Sequence, residues 1–186
     1  MLAALPDSPH TQQFCEGVVA DGGPIVVRCR PVPRRPTNEC FRIVDEYVEE
    51  NGGERIIGWA IWERPGIFIE AELHAVWRSA DGELIDITPR IFPFDSITFL
   101  PAPSKKYAGL QVDNIRHPLI KDNDVTRYLY LFKRRFEIMN TGDLAEQYGE
   151  IALPRRLHKE YVKLIKEIEV LQNRIDKKYP FHPIRI

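Results

Sequence analysis

Thr37-Asn38-Glu39-Cys40, then Phe68-Ile69-Glu70-Ala71-Glu72-Leu73-His74-Ala75-Val76-Trp77, then Leu84-Ile85-Asp86-Ile87-Thr88-Pro89 are the three pieces of this chain that decide its fold. The first reads as a helix start. Thr37 or Asn38 can cap it, Phe41, Ile43, Val44, Tyr47 and Val48 recur at helical spacing, and Gly52-Gly53 closes it, giving a helix over 38–50. The second and third read as strands over 67–78 and 83–88, joined at Asp81-Gly82, with an earlier strand over 55–64 entering through the turn Arg64-Pro65-Gly66. A helix carrying a cysteine, followed by an antiparallel meander carrying a histidine and an aspartate, is an α+β pattern.

Strand alternation sorts the side chains. Ile67, Ile69, Ala71, Leu73, Ala75 and Trp77 share an apolar face, and Phe68, Glu70, Glu72, His74 and Val76 share the other. Asp86 joins the His74 face only if the hairpin loop has three residues, Ala80-Asp81-Gly82, so that His74 pairs opposite Thr88. A two-residue Asp81-Gly82 turn sends Asp86 to the opposite face. The first register is favoured because it groups Ile85 and Ile87 with Leu73 and Ala75.

In that register Cys40, His74 and Asp86 form a candidate triad. The thiolate is the attacking form of cysteine, and the unpaired amides and partial positive charge of a helix N-terminus favour an anion there. His74 then takes and returns the proton, and Asp86 fixes its tautomer. The backbone N–H of Cys40 is one oxyanion donor, and Asn38 is a second candidate that doubles as a helix cap. Glu72 and Trp77 are candidate substrate contacts. Glu70 and Glu72 are either solvated or select a basic substrate. Cys15 and Cys29 read as structural, and His117, His158 and His182 carry no assigned role.

The rest of the chain bounds this reading. It has 186 residues, 44% hydrophobic and 28% charged, with a net charge of -1, enough for one core and a helical appendage. That charge gives no general pull toward nucleic acid or an anionic membrane. The first 120 residues lean acidic and the rest lean basic. Three cysteines without a CxxC pair argue against a structural zinc site or a disulfide framework. Without an apolar run of spanning length or a signal-like N-terminus, the expectation is a cytoplasmic protein that needs no cofactor and no metal.

The first 23 residues, with Pro6, Pro9 and Gly22-Gly23, read as loop or arm. Ile25-Val26-Val27 reads as a short buried strand. Arg28 to Arg35 form a connector that is either solvated or contacts an acidic substrate. A strand over 93–100, a loop over 101–117 and a helix over 123–139 follow. From Pro154 to Lys178, Leu157, Tyr161, Leu164, Ile168, Leu171 and Ile175 form a heptad seam. That seam either packs on the body or makes a homodimer or partner contact through 154–178. The organisation expected is a core over 1–118 and a helical extension over 119–186.

The helix-borne cysteine, the His74-Ala75-Val76-Trp77 strand and the Asp86-Ile87-Thr88-Pro89 segment resemble the core of the papain-like superfamily, and most closely transglutaminase-like domains. The resemblance covers roughly residues 37 to 90. It implies a papain-like α+β fold and thiol acyl transfer or amide hydrolysis by Cys40, His74 and Asp86, on a protein or peptide substrate. Water as acceptor makes a peptidase, amidase or deamidase, and an amine makes a cross-linking enzyme. Two other readings stand beside it. One is a non-catalytic protein-binding module using the groove or the heptad helix. The other is a metal site at Cys40, His74 and Asp86 or Glu72.

Overall fold

A computed structural model of the chain describes residues 1–37, 39–147 and 151–180. The elements run β1 (Leu2–Ala3), α1 (Pro9–Val18), β2 (Ile25–Cys29), α2 (Cys40–Asn51), β3 (Glu54–Arg64), β4 (Phe68–Arg78), β5 (Leu84–Asp86), β6 (Ser96–Pro101), β7 (Ile115–Pro118) and α3 (Asn123–Met139). A short 3-10 turn (Gly142–Glu146) precedes α4 (Arg155–Lys178). The fold is mixed α+β, with a sheet followed by C-terminal helices. Among the described residues, no helix is long and apolar enough to cross a membrane.

The β3–β4 hairpin is the backbone of the sheet. It pairs without interruption from Glu54↔Arg78 to Arg64↔Phe68. Gly66, at φ 70°, supplies the left-handed turn position that a side chain disfavours. From β3 the sheet passes to β6, then β2, then β5, and β5 returns to β4, so the strands close on themselves. β1 and β7 extend the outer stretches of β3 and β4. The sheet is therefore a small closed barrel, not the purely antiparallel meander that the sequence suggests. β2 and β5 run parallel, with Arg28↔Ile85 and Cys29↔Asp86 in register. The chain crosses over through α2 and the β3–β4 hairpin between them, and a parallel pair requires such a crossover.

Closure gives every strand an inner and an outer face. The inner face is filled by Val27, Ala60, Trp62, Val76, Ile97 and Phe99. Outside, α1 brings Cys15 against Trp59, Ile61 and Leu73. α2 brings Cys40, Ile43 and Val44 against Ala75, Ile85 and Ile87. Both faces of β4 are thus covered, and burying each such aliphatic side chain contributes roughly 1.5–3 kcal/mol. Gly58 pairs with His74 across the hairpin. A Cβ at Gly58 would collide with the Phe99 ring and the Leu100 carbonyl, so this position next to the histidine has room only for glycine.

α3 and α4 form a helical hairpin docked on the β3–β4 turn, where Ile67 and Phe68 meet Leu129, Leu164, Leu171 and Ile175. The heptad positions Leu157, Tyr161, Leu164, Ile168, Leu171 and Ile175 all belong to this cluster. The seam is spent inside the chain, against α3. Asp122 caps α3 through the amides of Asp124 and Val125, at 2.8 Å and 3.2 Å. It also accepts from Lys178 and from the Tyr179 hydroxyl, which ties the end of α4 to the start of α3.

Several boundaries differ from the sequence reading. Residues 9–18 form α1, not an arm, because Pro9 sits in the first helical positions, where its missing N–H costs nothing. β7 lies in the stretch read as loop over 101–117; its short run, Ile115 to Pro118, pairs with Phe68 to Ala71. β2 extends to Cys29, and only Val27 of its apolar trio is buried. β5 stops at Asp86 instead of 88. α2 starts at Cys40 and its N-cap is Glu39, which makes no side-chain cap bond. Thr37 therefore does not cap it, and Asn38 lies outside the described residues.

Candidate active site

The register of the β4–β5 hairpin places the two inner residues. Trp77 pairs with Ile85 and Arg78 with Leu84, while the Ser79 amide bonds the Glu83 carbonyl across a three-residue loop. Continuing that count sets His74 opposite Thr88, with Asp86 one diagonal step away on the same face. Past Ile85 the two strands share no further ladder pairs. The chain after Asp86 turns to β2 instead, with Arg30 N bonded to the Asp86 carbonyl and Val32 N to the Ile87 carbonyl. Cys40, the first residue of α2, packs beside this departure against Ala75, Ile85 and Ile87.

His74 is 3% exposed and Asp86 0%. The imidazole Nε2 lies 3.0 Å from Asp86 Oδ1. Arg90 Nη2 approaches the same ring nitrogen at 3.3 Å and Asp86 Oδ2 at 3.2 Å. A guanidinium only donates and a carboxylate only accepts. The Nε2 proton therefore belongs to the bond with Asp86 Oδ1, and Arg90 donates to Oδ2. The Cys40 side chain is also near enough to act on the ring, and it favours the imidazolium. The amide of Thr88 donates to Asp86 Oδ1 at 3.1 Å, and the Cys29 thiol reaches Oδ2 at 4.0 Å.

The electrostatics follow from burial and these partners. Burial disfavours the imidazolium, but the Asp86 carboxylate and then the Cys40 side chain outweigh it, raising the His74 pKa to about 10. Burial likewise pushes the Asp86 carboxyl up, and His74, Arg90 and the Thr88 amide reverse it, holding the pKa at about 2. The other thiols sit in different surroundings. Burial raises Cys15 to about 11, and burial followed by the Asp86 charge raises Cys29 to about 12. Neither is a thiolate near neutral pH.

Cys40, His74, Thr88 and Arg90 open onto one cleft of about 420 Å³. Its far wall comes from the α3 residues Phe132, Arg135, Phe136 and Met139, and a loop supplies Tyr107 and Leu110 to Asn114. Tyr107 stacks on Phe41, with ring centroids 3.7 Å apart. The helical extension thus forms part of the cleft wall.

Other residues singled out from the sequence fall in several places. Glu72 lines the cleft, but its Oε2 accepts from Trp62 Nε1 at 2.7 Å and stands 3.8 Å from Arg90 Nη1. Glu70 pairs with Arg116 at 3.2 Å, and burial raises its pKa. Both glutamates are paired within the protein. Trp77 does not line the cleft. It lies on the outer face, packs edge-on against Tyr47 and donates to the Gly52 carbonyl at 2.9 Å, pinning the end of α2. Arg30 and Arg35 pair with Glu83, Glu46 and Glu50, away from the site. His182 lies outside the described residues. Among the described residues, no group of three His, Cys, Asp or Glu side chains is arranged to hold a metal ion.

Arg90 is the residue that sequence reasoning missed. It follows Asp86 and Thr88 at two-residue steps, so alternation carried past Pro89 puts it in their row. Its guanidinium lies over the Trp62 ring at 4.7 Å from the centroid, an arrangement that steadies a cation.

In comparisons with protein-family models, with curated proteins and with solved structures, nothing matches this chain.

Proposed function

We propose that this protein is a thiol acyl-transfer enzyme of papain-like or transglutaminase-like type, acting on an amide of a protein or peptide. The observation that carries the reading is His74 held between two groups. Its Nε2 is fixed on the fully buried Asp86, and Cys40, at the start of α2, lies close enough to raise its pKa and lines the same cleft.

The chemistry follows from that placement. With His74 held as the imidazolium, the ring already carries the proton and the Cys40 sulfur attacks the acyl carbonyl as the thiolate. The developing oxyanion meets the Cys40 N–H, one of the amides that a helix start leaves without an intrahelical partner. Collapse breaks the C–N bond, His74 gives its proton to the leaving amine, and a thioester remains on Cys40. Water or a second amine then attacks with the neutral His74 as base. Asp86 keeps the imidazole oriented throughout, and Arg90 and the Thr88 amide keep Asp86 ionised. The order of helix-borne thiol, strand-borne base and next-strand carboxylate agrees with the resemblance seen in the sequence.

Incubation with p-nitrophenyl acetate, followed by peptide mapping, tests the proposal. The expected product is an acetyl thioester on Cys40 with Cys15 and Cys29 unmodified, and loss of that product in His74→Ala. Acetylation that ignores the histidine, or none on Cys40, overturns it and favours a binding-only role.

A further inference from the structure

Two buried donors beside the triad have no partner among the described residues: the Thr88 hydroxyl and the Arg90 Nε–H. Thr88 is 4% exposed and lines the cleft, as does Arg90. A buried polar hydrogen left unpaired is costly. It is the Thr88 backbone amide, not the hydroxyl, that bonds Asp86. Three arginines, Arg90, Arg116 and Arg135, reach the cleft beside the carboxylates of Glu72 and Asp113. Arg90 pairs with Asp86 and Glu72, and Arg135 alone meets no carboxylate among the described residues. Arg116 is neutralised by Glu70 and Asp113. Arg135, from α3, has only the Tyr161 hydroxyl as partner among the described residues, at 3.4 Å.

We propose that Thr88 and Arg90 form a subsite for a carboxylate of the acyl donor, so that the substrate carries an anionic group close to the carbonyl attacked by Cys40. This rests on the acyl-transfer reading and narrows it. The Thr88 hydroxyl and the Arg90 Nε–H donate to the carboxylate oxygens, and the guanidinium supplies the charge that makes those bonds strong. Arg135 on the opposite wall adds to the field that draws an anion into the cleft. The preference is for an acidic acyl donor, the reverse of the basic one that Glu70 and Glu72 suggest from sequence.

Two alkylating probes of nearly the same shape test this. In both, the sulfur forms a C–S bond as the C–I bond breaks and iodide leaves with its electron pair. Iodoacetate carries a carboxylate where iodoacetamide carries a neutral amide. Rates at Cys40 are read by mass spectrometry in wild type, Thr88→Val and Thr88→Ser. The expected result in Thr88→Val is a roughly tenfold slower reaction with iodoacetate, the loss of one hydrogen bond to a charged group. The iodoacetamide rate should stay within about twofold, and Thr88→Ser should keep the wild-type ratio. Thr88→Val should also hold or raise the melting temperature, because a methyl replaces an unsatisfied hydroxyl; a hydroxyl serving the fold would lower it. A second arm needs no variant. Acetate added to wild type should slow iodoacetamide labelling of Cys40, and chloride at equal ionic strength should not.

Equal slowing of both probes, or no change in their ratio together with no protection by acetate, overturns the subsite and leaves the acyl-transfer reading standing. A Cys40 inert to both probes in wild type overturns the two together.

Discussion

Asp86 and Asp122 invite comparison, because each carboxyl is held near a pKa of about 2, in different regions and by different means. Asp122 stands where the helical hairpin closes. Lys178 leads the interactions that lower it, followed by the Tyr179 hydroxyl and the two α3 amides. Lys178 is itself shifted upward by Asp122, as an ion-pair partner should be, but it stands at the surface with its side chain 56% exposed. Asp86 sits inside the barrel at 0% exposure, and its lead partner is His74, itself raised to about 10. His74 in turn lines a cleft with Cys40. A low carboxyl pKa is thus shared by a cap and by a candidate catalytic group. Both have a partner displaced the other way; what separates them is that the partner of Asp86 is buried, at 4% side-chain exposure against 56% for Lys178, and shares a cleft with a thiol.

Asp86→Ala should produce the largest effect, since it leaves His74 and Arg90 buried without their carboxylate. The cost expected is about 3–5 kcal/mol, as for breaking a buried ion pair from one side. Urea unfolding measures it. A cost near that of a surface ion pair would place Asp86 with Asp122.

Part of the same free energy is open to pH. His74 has a folded pKa above its ordinary value, so its contribution is complete below about pH 6.5 and is lost as pH rises toward about 10. Asp86 is the opposite case. Its contribution is present above about pH 3.9 and is lost as pH falls toward about 2. Stability should therefore be flat between roughly pH 4 and 6.5 and decline on both sides. Denaturation series across pH should show the alkaline decline in wild type and a much weaker one in Asp86→Asn. An unchanged alkaline slope in that variant would detach His74 from Asp86.

Asp122→Ala should cost the least, roughly 1 kcal/mol for a lost helix cap, with the labelling rate of Cys40 unchanged. A change in that rate would mean that the hairpin closure reaches the thiol, and the two regions could no longer be treated as separate.

The sequence made the half of the molecule around the candidate site legible to an unequal degree. The alternation along 68–78 set His74 opposite the apolar helix-facing row, and the grouping of Ile85 with Ala75 chose the three-residue loop that keeps Asp86 with His74. Those are local rules with a period of two, and they survive closure of the barrel. Closure itself was not legible. It depends on β2, whose parallel partner β5 lies more than fifty residues further along the chain. α1 was missed because Pro9 and the polar residues around it resemble a loop until Cys15 has a sheet to pack on. The place of Trp77 outside the cleft was not legible, because alternation gives a face, and only the docking of α2 shows that this face is covered. Arg90 was hidden by Pro89, which ends the strand pattern while the row of side chains continues past it.

The most direct test of the account is the titration of the His74 ring by NMR in wild type and in Cys40→Ala. The account predicts that the ring stays protonated past neutral pH, titrates near 10 in wild type, and moves to lower pH when the sulfur is removed. A midpoint near the ordinary value of about 6.5, or one that does not respond to loss of the thiol, would contradict it.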